Sequence, residues 1–187
     1  MALFTTIIIG CWLVFLGYWF VSALQAKKNV HPTMKGLWIR IILAFIVILI
    51  LQSKIFNGIE PQGADTSLNP IVDIIGSILT IAGVTFAIWA RYHLGKNWGM
   101  PMSVKEKPEL VRSGPYEYVR HPIYTGVLVA IFGSLLIAGS WWIIIFVAAS
   151  SYFLYSAYQE EKLLMQQFPA DYPKYKNKTK MIIPFLW

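Results

Sequence analysis

The chain has 187 residues, of which 57% are hydrophobic and only 13% are charged. Soluble domains have roughly 45–50% apolar and about 25% charged residues, so this composition excludes a soluble globular protein and predicts an integral membrane protein. The net charge is +7, but the charges lie between long apolar segments and form no continuous face for nucleic acid. A single cysteine, Cys11, excludes an internal disulfide and any site with several cysteine ligands.

The first apolar segment is residues 3–24, which contain no charged side chain. This length exceeds the ~20 apolar residues that cross a bilayer as a helix, and it predicts the first membrane span. Lys27 and Lys28 follow the apolar run instead of preceding it. We therefore expect a retained span with its N-terminus outside, and not a cleaved signal peptide.

A second span is predicted over residues 37–55, where Arg40 and Lys54 near the two ends can extend to the interface. Residues 57–69 are polar and rich in glycine and proline, as in an external loop.

The third span is predicted to begin at Pro70, which is a helix-start signal, and to run through residue 90. Asp73 in its first turn suits the helix dipole. Arg91 is the predicted end of this helix, since it is the first cation after the apolar run.

Residues 122–159 carry no Lys, Arg, Asp or Glu. This run is too long for one span, and it predicts a tight helical hairpin that turns at residues 138–140, with Trp141 and Trp142 at the interface. The predicted fold is an all-α integral membrane protein with five transmembrane helices. It forms a single membrane domain, 1–187, in which three spans (1–90) precede a connector, the hairpin and a tail (91–187).

The positive charges predict the orientation. Four lie in or near the first loop, six between Arg91 and Arg120, and five between Lys162 and Lys180, so fifteen of the sixteen share one side of the membrane. By the positive-inside rule that side is cytoplasmic, which places the N-terminus outside and the C-terminus in the cytoplasm.

Small residues recur on two predicted spans and predict close helix packing, within the chain or between two copies. They are Gly76, Thr80 and Gly83 on the third span and Gly126, Ala130, Ser134 and Ala138 on the fourth.

Polar chemistry is confined to the connector, 91–121, and the tail, 160–187. Arg120 and His121 stand directly before Pro122 at the mouth of a predicted helix, where an anionic group can bind, although both also suit plain interfacial anchoring. No second histidine lies close enough in sequence to predict a metal site.

Glu160 and Glu161 are the first acids after the uncharged run, at the predicted exit of the fifth span. Tyr152, Tyr155 and Tyr158 precede Glu161 at three-residue intervals, which suggests a polar groove along that helix. Carboxylates at a helix exit are often merely solvated, but an ionisable group that faces a bundle is a functional candidate.

Two segments carry a family resemblance: LVRSGPYEYVRHPIYTG at residues 110–126 and EEKLLMQQFPADYPKY at residues 160–175, followed by IIPFL. Together they resemble the isoprenylcysteine carboxyl methyltransferases, integral membrane enzymes related to the phospholipid methyltransferases. The resemblance covers about half of the chain, and it implies an S-adenosylmethionine-dependent enzyme with a lipophilic acceptor and a cytoplasmic active site. No nucleic-acid partner is expected, and the oligomeric state stays open.

The resemblance also implies site residues. It assigns Leu110 and Val111 to the adenine, and Arg120 and Glu161 to catalysis, with Arg120 orienting the acceptor and Glu161 as a base for an amine. It further assigns a cofactor-binding role to Gly114, Tyr116, His121, Pro122, Tyr124 and Glu160.

Two alternatives remain at the sequence level. Membrane sterol reductases resemble the same C-terminal region but use NADPH, for whose 2′-phosphate Lys174, Lys176 and Lys178 are available. A non-enzymatic scaffold is the other alternative, supported by Pro108 and Met181, which depart from the family pattern.

Overall fold

The computed structural model describes residues 2–25, 29–31, 69–99, 104–105, 108–139 and 142–183. The second predicted span, 37–55, lies outside these residues, as do most of the predicted loop, Ser140 and Trp141. The described elements are helices α1 (Ala2–Ala23), α2 (Pro70–Leu94), α3 (Pro122–Ala138), α4 (Trp142–Gln167) and α5 (Tyr172–Lys178), with strands β1 (Asn29–His31) and β2 (Val104–Lys105).

The membrane class predicted from composition is confirmed. Three of the described helices are long and apolar enough to cross a membrane: α1, α2 and α4. Helix α3 is a shorter apolar helix of 17 residues, and it precedes α4 as the first arm of the predicted hairpin. Gly139 follows α3 with a φ of 100°, at the predicted turn. The count of five spans and the orientation remain predictions.

Helix α2 starts where the sequence predicts and ends later. The side chain of Asn69 accepts a 2.9 Å hydrogen bond from the backbone N–H of Ile71 and so caps the helix that begins at Pro70. The predicted end at Arg91 is wrong, because the helix continues to Leu94. Arg91 is compatible with the helix interior because its guanidinium finds partners inside the protein. Gly95, at a φ of 54°, ends the helix in the left-handed region.

The expectation of purely helical structure missed one small feature. Strands β1 and β2 pair antiparallel, with Asn29 opposite Lys105 and His31 opposite Val104. Strands of two or three residues are too short to show the alternation of polar and apolar residues by which a sequence indicates a strand.

Helices α2 and α3 pack through their small residues, as the spacing predicts, and this contact lies within one chain. A Cβ placed on Gly126 would lie 2.7 Å from both the backbone nitrogen of Ala87 and the carbonyl oxygen of Gly83. A Cβ on Gly76 would lie 2.7 Å from the carbonyl oxygen of Gly133. The backbones therefore approach more closely than any larger residue would permit.

Replacing Gly126 should loosen this contact. We expect Gly126→Ala to cost about 1–3 kcal/mol, because the new methyl group must displace backbone atoms and not a flexible side chain. The matched control is Gly17→Ala on α1, where no atom of another described element lies within 4 Å of the added Cβ. Thermal unfolding of both variants in detergent measures the difference, and equal midpoints would contradict the close packing.

Candidate active site

A cavity of about 370 Å³ lies where α1, the end of α2, the connector, the start of α3, α4 and α5 meet. Its volume is within the roughly 300–1,000 Å³ of typical small-molecule sites. Its apolar lining residues, which we call the apolar wall, include Phe15, Trp19, Leu94, Trp98, Ile123, Val127 and Phe153. Its polar lining residues, which we call the polar side, include Tyr116, Arg120, His121, Tyr124, Glu160, Tyr172 and Tyr175.

The tail assembles the polar side by running beside the connector. The backbone N–H groups of Arg120 and His121 donate to the carbonyl oxygens of Lys180 and Met181, at 2.8 and 3.0 Å. The hydroxyl of Thr125 donates to the carbonyl oxygen of Ile182 at 2.6 Å. These bonds fix the start of α3 against the tail, and the tail in turn brings α5 over the cavity.

Glu161 is held on several sides. One carboxylate oxygen accepts from Arg120 Nε at 2.7 Å, and the other lies 2.7 Å from Lys176 Nζ. The guanidinium of Arg120 also donates to the carbonyl oxygens of Lys176 and Thr179. The side chain of Glu161 is only 4% exposed and is not among the residues that line the cavity. Glu161 on α4 therefore links Arg120 of the connector to Lys176 of α5 without lining the cavity itself.

Glu160 faces the cavity. Its Oε1 accepts a 2.6 Å hydrogen bond from the hydroxyl of Tyr124, and its Oε2 lies 3.4 Å from His121 Nδ1. The rings of His121 and Tyr124 stack with centroids 5.4 Å apart, and Tyr124 stacks in turn on Phe153 at 4.6 Å. The carboxylate of Glu160 is thus oriented by two aromatic side chains, and 24% of its side chain stays exposed.

The acids also set the protonation of His121. Burial lowers the pKa of this imidazole, but the negative charges of Glu160 and Glu161, 3.4 and 3.8 Å from its two ring nitrogens, raise it more strongly, so its pKa lies above the usual value. His121 is therefore charged in the folded protein over part of the range where a free histidine is neutral.

A raised pKa at His121 predicts a pH-dependent stability. Its contribution is fully present below the unfolded pKa of about 6.5 and is lost as the pH rises through the folded pKa. We expect the melting temperature of the wild type to fall more than that of His121→Asn as the pH rises above about 6.5. Parallel melting curves for the two proteins would contradict this prediction.

Two polar atoms at the cavity have no hydrogen-bond partner among the described residues: His121 Nε2 and the hydroxyl of Tyr172. His121 Nε2 lies 3.8 Å from Glu161, which is too long for a hydrogen bond. A buried polar atom without a partner costs about 1–3 kcal/mol, so a ligand with complementary polar atoms would recover that free energy.

The structure brings most of the predicted site residues to one place. Seven of them line the cavity: Leu110, Val111, Tyr116, Arg120, His121, Tyr124 and Glu160. Three do not, namely Gly114, Pro122 and Glu161. Gly114 lies at a φ of 62°, where a Cβ would be 2.6 Å from the ring of His93, and Pro122 is the first residue of α3. Leu110 and Val111 also line an adjoining open groove of about 670 Å³.

The prediction of a polar groove of tyrosines along α4 is wrong. Tyr155 and Tyr158 are each 50% exposed, whereas Glu161 is buried. A step of three residues turns a helix by about 300°, which is about 60° short of a full turn. Tyr152 and Glu161, nine residues apart, therefore lie on opposite sides of the helix. Helix α4 also continues to Gln167, which places both glutamates inside it and not at its exit.

Sequence reasoning missed the apolar wall and α5. Phe15 and Trp19 come from α1, Trp98 follows α2, and Tyr172 and Tyr175 come from α5. The two tyrosines lie within the segment that carries the family resemblance, and their three-residue spacing is the one signal that places them on one helix face.

These features define a helical membrane protein with a buried polar site beside an apolar wall. Residues 72–171 match the family described as Phospholipid methyltransferase, which is more than half of the chain, and the chain belongs to this family. It is 31% identical over 117 residues to the Protein-S-isoprenylcysteine O-methyltransferase of Saccharomyces cerevisiae, covering 60% of this chain and 49% of that protein. The resemblance found in the two C-terminal segments is confirmed.

A second relative is the Nickel-cobalt-cadmium resistance protein NccN of Alcaligenes xylosoxydans xylosoxydans. It is 27% identical over 154 residues, covering 81% of this chain and 64% of that protein. The chain thus spans about half to two thirds of the length of these curated relatives. Among the described residues, no group of three or more His, Cys, Asp or Glu side chains is arranged to hold a metal ion.

Proposed function

We propose that this protein is an S-adenosylmethionine-dependent methyltransferase whose lipophilic acceptor enters from the bilayer. The observation that carries the proposal is the placement of Glu160, hydrogen-bonded to Tyr124 and beside His121, in a cavity that also has an apolar wall. Membership in the phospholipid methyltransferase family supports the reaction class.

The residues present fit the cofactor. Leu110 and Val111 border both the cavity and the open groove, where an adenine can lie against their main chain. Glu160 offers a negative charge to a cationic end, and the unpartnered hydroxyl of Tyr172 offers a polar contact. When bound, S-adenosylmethionine supplies an electrophilic methyl group on a sulfonium. The chain's own residues orient the reactants and exclude water.

The apolar wall suits the acceptor. Trp19 on α1 and Phe153 on α4 belong to two membrane-spanning helices, so a hydrocarbon chain has apolar partners at the cavity. The cations that flank the site in the connector and the tail support, by the positive-inside rule, an active site on the cytoplasmic side.

The role of each carboxylate depends on the acceptor. A carboxylate acceptor is already ionised at neutral pH and needs only to be oriented. An amine acceptor must first lose a proton, and Glu160 is placed to take it because it faces the cavity. Glu161, whose oxygens are bound by Arg120 and Lys176, holds these residues in place without facing the cavity.

The reductase alternative is not favoured, because the family match is to methyltransferases. Lys176, one of the three lysines available for a 2′-phosphate, is paired with Glu161. The names of one relative and of the family instead suggest two acceptors to test first: an isoprenylcysteine carboxylate and a phospholipid, for which phosphatidylethanolamine provides an amine to methylate.

Calorimetric titration of the detergent-purified protein tests the cofactor, with S-adenosylhomocysteine as ligand and NADPH in parallel. Binding of S-adenosylhomocysteine alone supports the proposal, and binding of NADPH alone overturns it. Transfer of label from methyl-labelled S-adenosylmethionine to N-acetyl-S-farnesylcysteine or to phosphatidylethanolamine vesicles then identifies the acceptor class.

A further inference from the structure

Arg91 is a buried cation outside the polar side of the cavity. It lies in the last turn of α2, is only 2% exposed and forms no salt bridge with the described residues. Its Nη1 donates to the carbonyl oxygen of Gly95 at 2.6 Å, and its Nη2 donates to that of Ser22 at 2.7 Å. Burying a guanidinium without a carboxylate costs free energy. The position of Arg91 between two carbonyl oxygens therefore indicates that it has a role there.

The Ser22 contact ties α1 to α2. Helix α1 ends at Ala23, so the carbonyl of Ser22 is one of the last four, which have no partner within the helix. The backbone N–H of Gln25 donates to this carbonyl at 3.3 Å, and Arg91 adds a second, shorter hydrogen bond from 69 positions away in the sequence. The hydroxyl of Ser22 donates to the carbonyl oxygen of Trp19 at 3.2 Å, so the same turn carries a residue of the cavity wall.

Arg91 also fixes Trp98. The guanidinium carbon lies 4.7 Å from the centroid of the Trp98 ring, within the range of a cation–π contact. Trp98 in turn meets Trp19 edge to face, with centroids 6.2 Å apart and ring planes at 89°. Both tryptophans line the cavity, but Arg91 does not. One guanidinium thus sets the distance between two aromatic parts of the apolar wall.

We infer that Arg91 is a positioning residue for the lipophilic acceptor: it holds the end of α1 and the Trp98 ring where together they form the apolar wall. This inference rests on the proposed function for the identity of the ligand. Glu160 is held by Tyr124 and His121 and not by Arg91, so we expect the loss of Arg91 to act on the acceptor more than on the Glu160 end of the cavity.

Lysine cannot replace this group. A guanidinium is a flat fork that binds two carbonyls and stacks on a ring at once, whereas an ammonium is a point charge on a flexible stem. Arg91→Lys keeps the charge and removes the geometry, and Trp98→Phe weakens the ring that the guanidinium contacts. The matched controls are Trp89→Phe, an exposed tryptophan of α2 outside the cavity lining, and Lys162→Met, an exposed cation of α4.

Methyl-transfer kinetics with N-acetyl-S-farnesylcysteine and with phosphatidylethanolamine vesicles test the inference. We expect Arg91→Lys and Trp98→Phe to raise the apparent KM for the methylated acceptor about fivefold or more. We expect kcat and the Kd for S-adenosylhomocysteine to stay within about twofold of wild type, as all values should in the two controls. An unchanged KM, or loss of S-adenosylhomocysteine binding, would overturn the positioning role.

A spectroscopic distance separates this inference from the proposed function. Nitroxide labels at Leu24→Cys and Tyr118→Cys, both exposed positions, report the spacing between the end of α1 and the connector in a Cys11→Ser background. Arg91→Lys should broaden that distance distribution, and Lys162→Met should not. An unchanged distribution overturns the anchoring by Arg91. A broadened distribution in a protein that binds NADPH and not S-adenosylhomocysteine supports the anchoring and refutes the proposed function.

Discussion

Replacing Glu160 with glutamine is expected to lower the affinity for S-adenosylmethionine by roughly 10- to 150-fold. The variant keeps an oxygen that accepts from the Tyr124 hydroxyl but loses the negative charge that faces the cavity. A hydrogen bond to a charged group contributes about 1.5–3 kcal/mol, which corresponds to this range of affinity. Calorimetry gives the affinity directly, and Asp171→Asn, which alters an exposed carboxylate outside the cavity, is the matched control.

Comparing two ligands tells which cation Glu160 faces. S-adenosylmethionine carries a positive sulfonium, whereas the sulfur of S-adenosylhomocysteine is neutral. If Glu160 faces the sulfonium, Glu160→Gln weakens only the first ligand, and if it faces the amino group of the cofactor, it weakens both. Unchanged affinity for both ligands would place Glu160 outside the cofactor site, and its remaining role would be as a base toward an amine acceptor.

Local signals in the sequence predicted the helix starts and the polar centre of this fold. Asn69 and Pro70 begin α2, Pro122 begins α3, and Gly139 follows its end. The Arg120-His121 pair before Pro122 is likewise a local pattern. Capping residues and turn residues act within one helical turn, so they can be identified without knowledge of the tertiary contacts.

The sequence alone could not assign separate roles to Glu160 and Glu161. Neighbouring residues on a helix point about 100° apart, so one of the pair faces the cavity and the other faces Arg120, but the sequence does not say which. The sequence did not predict the apolar wall for another reason. Arg91 and Ser22 meet across 69 residues, and a contact between distant segments leaves no periodic signal in either.

The second large effect is expected at Glu161. Glu161→Gln leaves the guanidinium of Arg120 buried without its carboxylate, and breaking a buried ion pair from one side costs about 3–5 kcal/mol. Lys176 adds less, because its side chain is 40% exposed and solvent screens its charge. We expect a lower melting temperature in detergent and faster cleavage of α5 by trypsin, whereas Lys176→Met should change both only slightly.

A double variant separates support from catalysis. Arg120→Met with Glu161→Leu removes both buried charges together, so its loss of stability should be smaller than the sum of the two single losses. If Glu161 only supports the site, methyl transfer in Glu161→Gln should recover at low temperature, where the tail is held in place. A variant that resists trypsin like the wild type, yet transfers no methyl group, would show instead that Glu161 contacts the substrate. Its carboxylate would then have to leave Arg120 during the reaction.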